Sequence, residues 1–132
     1  MFVVTCALAA IASHASAQTD ASRTQIDLAL AAASLAALLT RYGDSYPDVV
    51  AARARIAMLA QSLRQAQARH ESIDVTLVRT TLEGELADVR TRLGESSVRC
   101  GSAHPEMESA RARELALETA VQHVTSDGFY FP

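Results

Sequence analysis

The chain contains no lysine, no asparagine and no tryptophan, and only 5% of its residues are aromatic. Two cysteines are too few for a disulfide scaffold. No uninterrupted apolar run reaches the ~18–20 residues that cross a bilayer, so no transmembrane segment is expected in the mature chain. A formal net charge of -3 lacks the basic excess of a nucleic-acid binder, and no nucleic-acid partner is expected. With 49% hydrophobic residues, the 132-residue chain is too apolar for a disordered tail. About a fifth of it is alanine, and every basic side chain apart from histidine is arginine. These limits leave one small, alanine-rich, all-α domain.

Residues 1–17 read as a secretory signal peptide. An apolar stretch runs from Phe2 to Ala12, and Ala15-Ser16-Ala17 supplies small residues where a signal peptidase inspects the chain. The alternative is an N-terminal helix retained in the fold. Cleavage near Ala17 implies a periplasmic or secreted protein and leaves Cys100 as the lone thiol. Such a thiol is either buried or paired with another chain, and burial is the commoner fate.

The remainder repeats itself at a spacing of 58 residues. Tyr42-Gly43-Asp44-Ser45-Tyr46-Pro47-Asp48 aligns with Cys100-Gly101-Ser102-Ala103-His104-Pro105-Glu106, and Ala52-Arg53-Ala54-Arg55 with Ala110-Arg111-Ala112-Arg113. Rare glycines and prolines coincide, which marks two copies of a helix–turn–helix unit across residues 18–126. Gly43 and Gly101 suit the left-handed position just past a helix end, with Arg41 and Arg99 in the preceding last turns. Pro47 and Pro105 suit the first position of the next helix, where a missing N–H costs nothing. Asp48 and Glu106 then place negative charge on its positive end.

Inside the helices the apolar spacing is that of a coiled coil. The first helix offers Leu28, Ala31, Leu35, Leu38 and Tyr42; the second Val49, Ala52, Ile56, Leu59, Leu63, Ala66, His70 and Ile73. The third offers Leu82, Leu86, Val89 and Leu93, and the fourth Met107, Ala110, Leu117, Val121 and Val124. Two antiparallel helical hairpins follow, as an elongated coiled coil or as a four-helix bundle. The choice turns on residues 70–76, which hold no proline or glycine. Asp74 caps a new helix there if the chain turns; continuity gives one long helix, and the pattern leans towards continuity.

The string Leu38-Leu39-Thr40-Arg41-Tyr42-Gly43-Asp44-Ser45-Tyr46-Pro47-Asp48-Val49-Val50 resembles the hairpin motif of bacterial polysaccharide chain-length determinants, also called polysaccharide co-polymerases. The second copy carries the histidine of that motif, His104, before Pro105. The resemblance implies periplasmic coiled-coil architecture and an assembly role. That family's membrane-spanning helices and its nucleotide-binding kinase region have no counterpart here.

His104, Met107 and Glu108 lie at helical spacing and are the candidate metal ligands, which His70-Glu71 and His123 would join from neighbouring helices. The competing reading gives His104 a turn role, as the residue before Pro105, and on that reading no metal or cofactor is expected. Arg23, Ile26 and Asp27 resemble the opening of the first helix of secreted all-helical chorismate mutases. Their sites need lysine, which this chain lacks, and no nucleophile–base pair stands in for it. No catalytic activity is expected. Arg53, Arg55, Arg64 and Arg69 on the second helix meet solvent or pair with acids of the third and fourth helices.

The end of the chain is unusual. Residues 127–132 close on Phe129-Tyr130-Phe131-Pro132, which either fold back onto the bundle or anchor a partner. The expected function is that of a non-enzymatic exported scaffold in the cell envelope, binding a protein partner or itself through its helices. The alternative is a small periplasmic metal-sensing or chaperone-like hairpin protein.

Overall fold

A computed structural model describes residues 5–101, 103–124 and 128–132. It contains four helices, α1 (Thr5–Leu39), α2 (Pro47–Ala68), α3 (Val75–Cys100) and α4 (Pro105–His123), with no strand among the described residues. The chain is all-α, built from an α1–α2 hairpin and an α3–α4 hairpin. Helix α1 runs through the expected cleavage site as continuous helical backbone. The side chains of residues 5–19, and with them the Ala15-Ser16-Ala17 motif, lie outside the described residues, as does the Cys100 thiol. Among the described residues no helix is long and apolar enough to cross a membrane.

Helix α1 is the axis. It packs against α2, α4 and α3, while α4 also packs against α3; among the helices, α2 touches α1 alone. Side-chain contacts fix the directions. Thr40 at the end of α1 meets Ser109 near the start of α4 (2.7 Å), so these helices are antiparallel. The Asp74 N–H donates to Ser22 Oγ (2.9 Å), so α3 starts beside the middle of α1. The core follows: Leu28, Ala29 and Ala33 of α1 meet Leu63 and Ala66 of α2, Val78 and Leu82 of α3, and Leu117 and Ala120 of α4. Alanine at so many contact positions lets the axes approach closely, towards the ~8 Å end of helix spacing.

The junction at residues 69–74 turns, correcting the expectation of a continuous helix. No glycine is needed, because His70 itself takes the left-handed conformation at φ 56°. The His70 N–H donates to the Gln67 carbonyl and the Glu71 N–H to the Ala66 carbonyl, both at 3.0 Å. That pair of bonds is a Schellman stop, with histidine where glycine is usual. Asp74 then caps α3, its carboxylate accepting from the Leu77 N–H (3.0 Å). Ile73, between stop and cap, is buried.

The two hairpin turns differ despite their matched sequences. Gly101 has φ 77°, as expected past a helix end, but Gly43 does not adopt a left-handed φ. Helix α1 stops at Leu39, so Arg41 lies beyond its last turn. Residues 40–46 form a longer loop, closed by Tyr46 N–H to the Gly43 carbonyl (3.0 Å) and by stacking of Tyr42 on Tyr46 (4.1 Å between ring centroids). Pro47 and Pro105 both open their helices, and Asp48 and Glu106 both sit in the first turns.

The α2 arginines do not reach acids of α3 or α4, because α2 packs on α1 only. Arg53 pairs with Asp44 and Arg69 with Glu71 (2.7 Å). Glu114 and Glu118 instead meet Arg90 of α3 at 2.8 and 3.7 Å.

Substituting His70→Gly relieves a left-handed non-glycine residue and should raise stability by about 1 kcal/mol. Gly43→Ala should be neutral to mildly stabilising, since nothing crowds that position and its φ is ordinary. Gly101→Ala should cost about 1 kcal/mol, because its φ is left-handed. Thermal denaturation of the three variants checks the set; a destabilised His70→Gly protein would contradict the assigned stop.

Candidate functional site

The expected metal ligands do not converge. His104 precedes Pro105 and caps α4, its Nδ1 accepting from the Glu106 N–H at 3.3 Å. Met107, three residues on, is buried in the bundle, whereas Glu108 is exposed. His123 ends the same helix, about 28 Å away at 1.5 Å per residue. His70 and Glu71 lie at the α2–α3 turn, near the His123 end of α4, so the six residues gather at no single point. Among the described residues no group of three or more His, Cys, Asp or Glu side chains is placed to hold an ion. Glu83 is exposed, and Glu85 lies 3.8 Å from Arg113.

The turn residues sit at the two hairpin tips. Gly43 lies between the stacked tyrosines and Pro47 follows them, while Gly101 and Pro105 flank the capping histidine. Tyr42 and Tyr46 remain partly exposed there.

The most developed concavity lies elsewhere. Helices α2 and α4 both rest on α1 without touching each other, which leaves a groove of about 500 Å³ between them. Its floor is Ala29, Ala32 and Ala36 of α1, and its walls are Ile56 of α2 and Ala112 and Leu115 of α4. Thr119 also lines it, but its hydroxyl donates back to the Leu115 carbonyl (2.8 Å). The groove therefore offers almost no free polar group to an occupant. Leu115 is 65% exposed on its wall, a large apolar side chain left in water.

The aromatic tail closes one end of this groove. Gly128 is buried against Ile73 and Val75, and Phe129 and Tyr130 pack on the core. The Tyr130 ring lies 5.8 Å from His123, and the Arg64 guanidinium lies 5.8 Å above the Phe131 ring. Tyr130 and Pro132 line the groove itself. Asp127 lies outside the described residues.

What holds the tail is a residue that sequence reasoning passed over. Gln25 of α1 is fully buried, and its side-chain amide bonds to both backbone groups of one tail residue. Its Nε2 donates to the Tyr130 carbonyl (2.9 Å), and its Oε1 accepts from the Tyr130 N–H (2.8 Å). A buried amide left without partners costs about 1–3 kcal/mol, so this pairing is a strong local constraint. The signal was present in the spacing: Gln25 stands four residues after Ala21 and three before Leu28, a polar side chain at an apolar heptad position. One turn earlier, the buried Ser22 binds the α2–α3 turn through Asp74.

Burial pushes the Tyr130 phenol above its ordinary value. The folded tail thus favours the neutral phenol, and this contribution is complete below about pH 10, the ordinary phenol value. It is lost as pH rises through the raised value. Alkaline titration should release the tail, followed by the Tyr130 amide resonance, and Tyr130→Phe should remove that pH dependence. Gln25→Leu should lower stability by about 2–3 kcal/mol, measured by denaturant unfolding. An effect under about 0.5 kcal/mol would mean that the amide pairing is dispensable.

Compared with known proteins, the chain matches no family model, no curated protein and no solved structure.

Proposed function

We propose that this chain is a non-enzymatic, exported helical interaction module of the cell envelope, and that its contact surface is the groove between α2 and α4. The observation that carries this reading is the groove's chemistry: an open trough of mostly alanine and leucine beside the core, with Leu115 exposed on its wall. Contiguous exposed apolar surface on a small domain marks a site of association. Coiled-coil spacing in all four helices supports a helical scaffold role. The resemblance of the Leu38–Val50 segment to chain-length determinants supports an envelope setting.

Export is supported by the leader-like residues 1–17. Cleavage after Ala17 leaves every described core residue in place, since the first of these is Ala21. The retained chain keeps Ser22 and Gln25, and with them both loop attachments.

A photoreactive residue in place of Leu115 should cross-link, in living cells, to one recurrent envelope component. Filling the trough with Ala112→Trp should abolish that product while helicity by circular dichroism stays unchanged. Export is read separately, from the N-terminus of the purified protein. Cross-links to many unrelated proteins, or none lost on filling, would sink the scaffold reading in favour of a chaperone-like hairpin.

A further inference from the structure

The tail is seated through its backbone by Gln25, at one end of an open groove. Gln25 is buried without exposure, yet its amide binds neither its own helix nor another side chain. It pairs with the N–H and the carbonyl of a single residue, Tyr130. Only a residue with both groups free meets that demand, which excludes an occupant in helical conformation, whose N–H and carbonyl are spent within the helix. Around that anchor the seat supplies places for aromatic rings: His123 beside Tyr130 and Arg64 over Phe131. Beside Tyr130 and Pro132 the trough lies open along α1 from Ala29 to Leu39. The chain's own tail therefore uses one end of a longer cleft.

We propose that this cleft binds a non-helical, aromatic-rich segment of a partner polypeptide, and that residues 128–132 hold its place in the free protein. The proposal rests on the reading of the groove as the contact surface and names what enters it. A partner segment that repeats the tail's contacts and runs on into the alanine trough buries apolar area that the tail leaves in water. That surplus offsets the advantage of a tethered competitor, whose effective concentration is on the order of millimolar for a short linker. Gln25 and Arg64 are the specificity elements, the first for free backbone and the second for a ring.

The test uses the full chain and a labelled synthetic pentapeptide with the sequence of residues 128–132. Two variants loosen the tail from different sides. Tyr130→Pro removes the N–H that Gln25 accepts. Gly128→Ala adds a Cβ that would stand 2.6 Å from Ile73 Cγ2 and strains a φ of +75°. Both variants keep Gln25, Arg64 and His123, which hold the tail. Fluorescence anisotropy should show the peptide binding each variant at least about ten-fold more tightly than the unaltered chain, because the competitor in cis is weakened. Adding Gln25→Leu to Tyr130→Pro should remove the binding. Equal binding to altered and unaltered chains, or binding indifferent to Gln25→Leu, would overturn the proposal. So would conversion of both variants to dimers by light scattering without peptide binding, which would make a second copy's tail the occupant. Peptide binding without a cross-linked partner at Leu115 would leave the cleft standing and remove the envelope role.

Discussion

Two buried polar side chains on one turn of α1 organise the region where three separate pieces of chain meet. Ser22 holds the turn between α2 and α3, and Gln25 holds the C-terminal tail. Both lie in an interior otherwise made of alanine, leucine, valine and isoleucine. Dispersion between such smooth surfaces is strong in sum but weakly directional, so helices in contact through alanine slide at little cost. Buried hydrogen bonds are different: each tolerates only a few tenths of an ångström, and breaking one inside the core exposes an unpaired group. Those few polar attachments add directional constraints to the apolar packing around them.

The position of α1 has a second consequence. Because it is wedged between α2 on one side and α3 and α4 on the other, α2 never meets α4, and the gap over α1 has to be filled or left open. The tail fills one end and leaves the other as the alanine trough. The same separation explains the charges. Arg53 of α2 and Arg69 just past its end find local partners at Asp44 and Glu71, while Glu114 and Glu118 find Arg90 across the α3–α4 contact. Exposed pairs of this kind contribute ~0–1 kcal/mol each.

The repeat shows how far equal sequence positions can part. Tyr46 and His104 both precede the proline that opens a helix, yet Tyr46 stacks on Tyr42 and His104 caps α4 with its ring nitrogen. Gly43 and Gly101 likewise align, but only Gly101 carries the left-handed φ. The difference follows from where the preceding helix stops: α1 ends four residues before Gly43, and α3 runs directly up to Gly101.

Local chemistry in the sequence determined that the chain is helical and that it folds as two hairpins. Proline at the first helical position, acid in the first turn and apolar residues at heptad spacing act within a few residues of one another, so their outcome is readable without the fold. Asp74 as a cap belongs to the same class. Tertiary structure decided the rest. His70 accepts a left-handed conformation only because Ile73 gains a buried place beyond the turn, and no local signal records that gain. Gln25 was visible as a polar residue at an apolar position. Its partner lies 105 residues away at Tyr130, and a pairing over that separation exists only when α1 and the end of α4 are already side by side. The groove has no sequence signature at all, because it is the space between two helices that share a neighbour and do not touch.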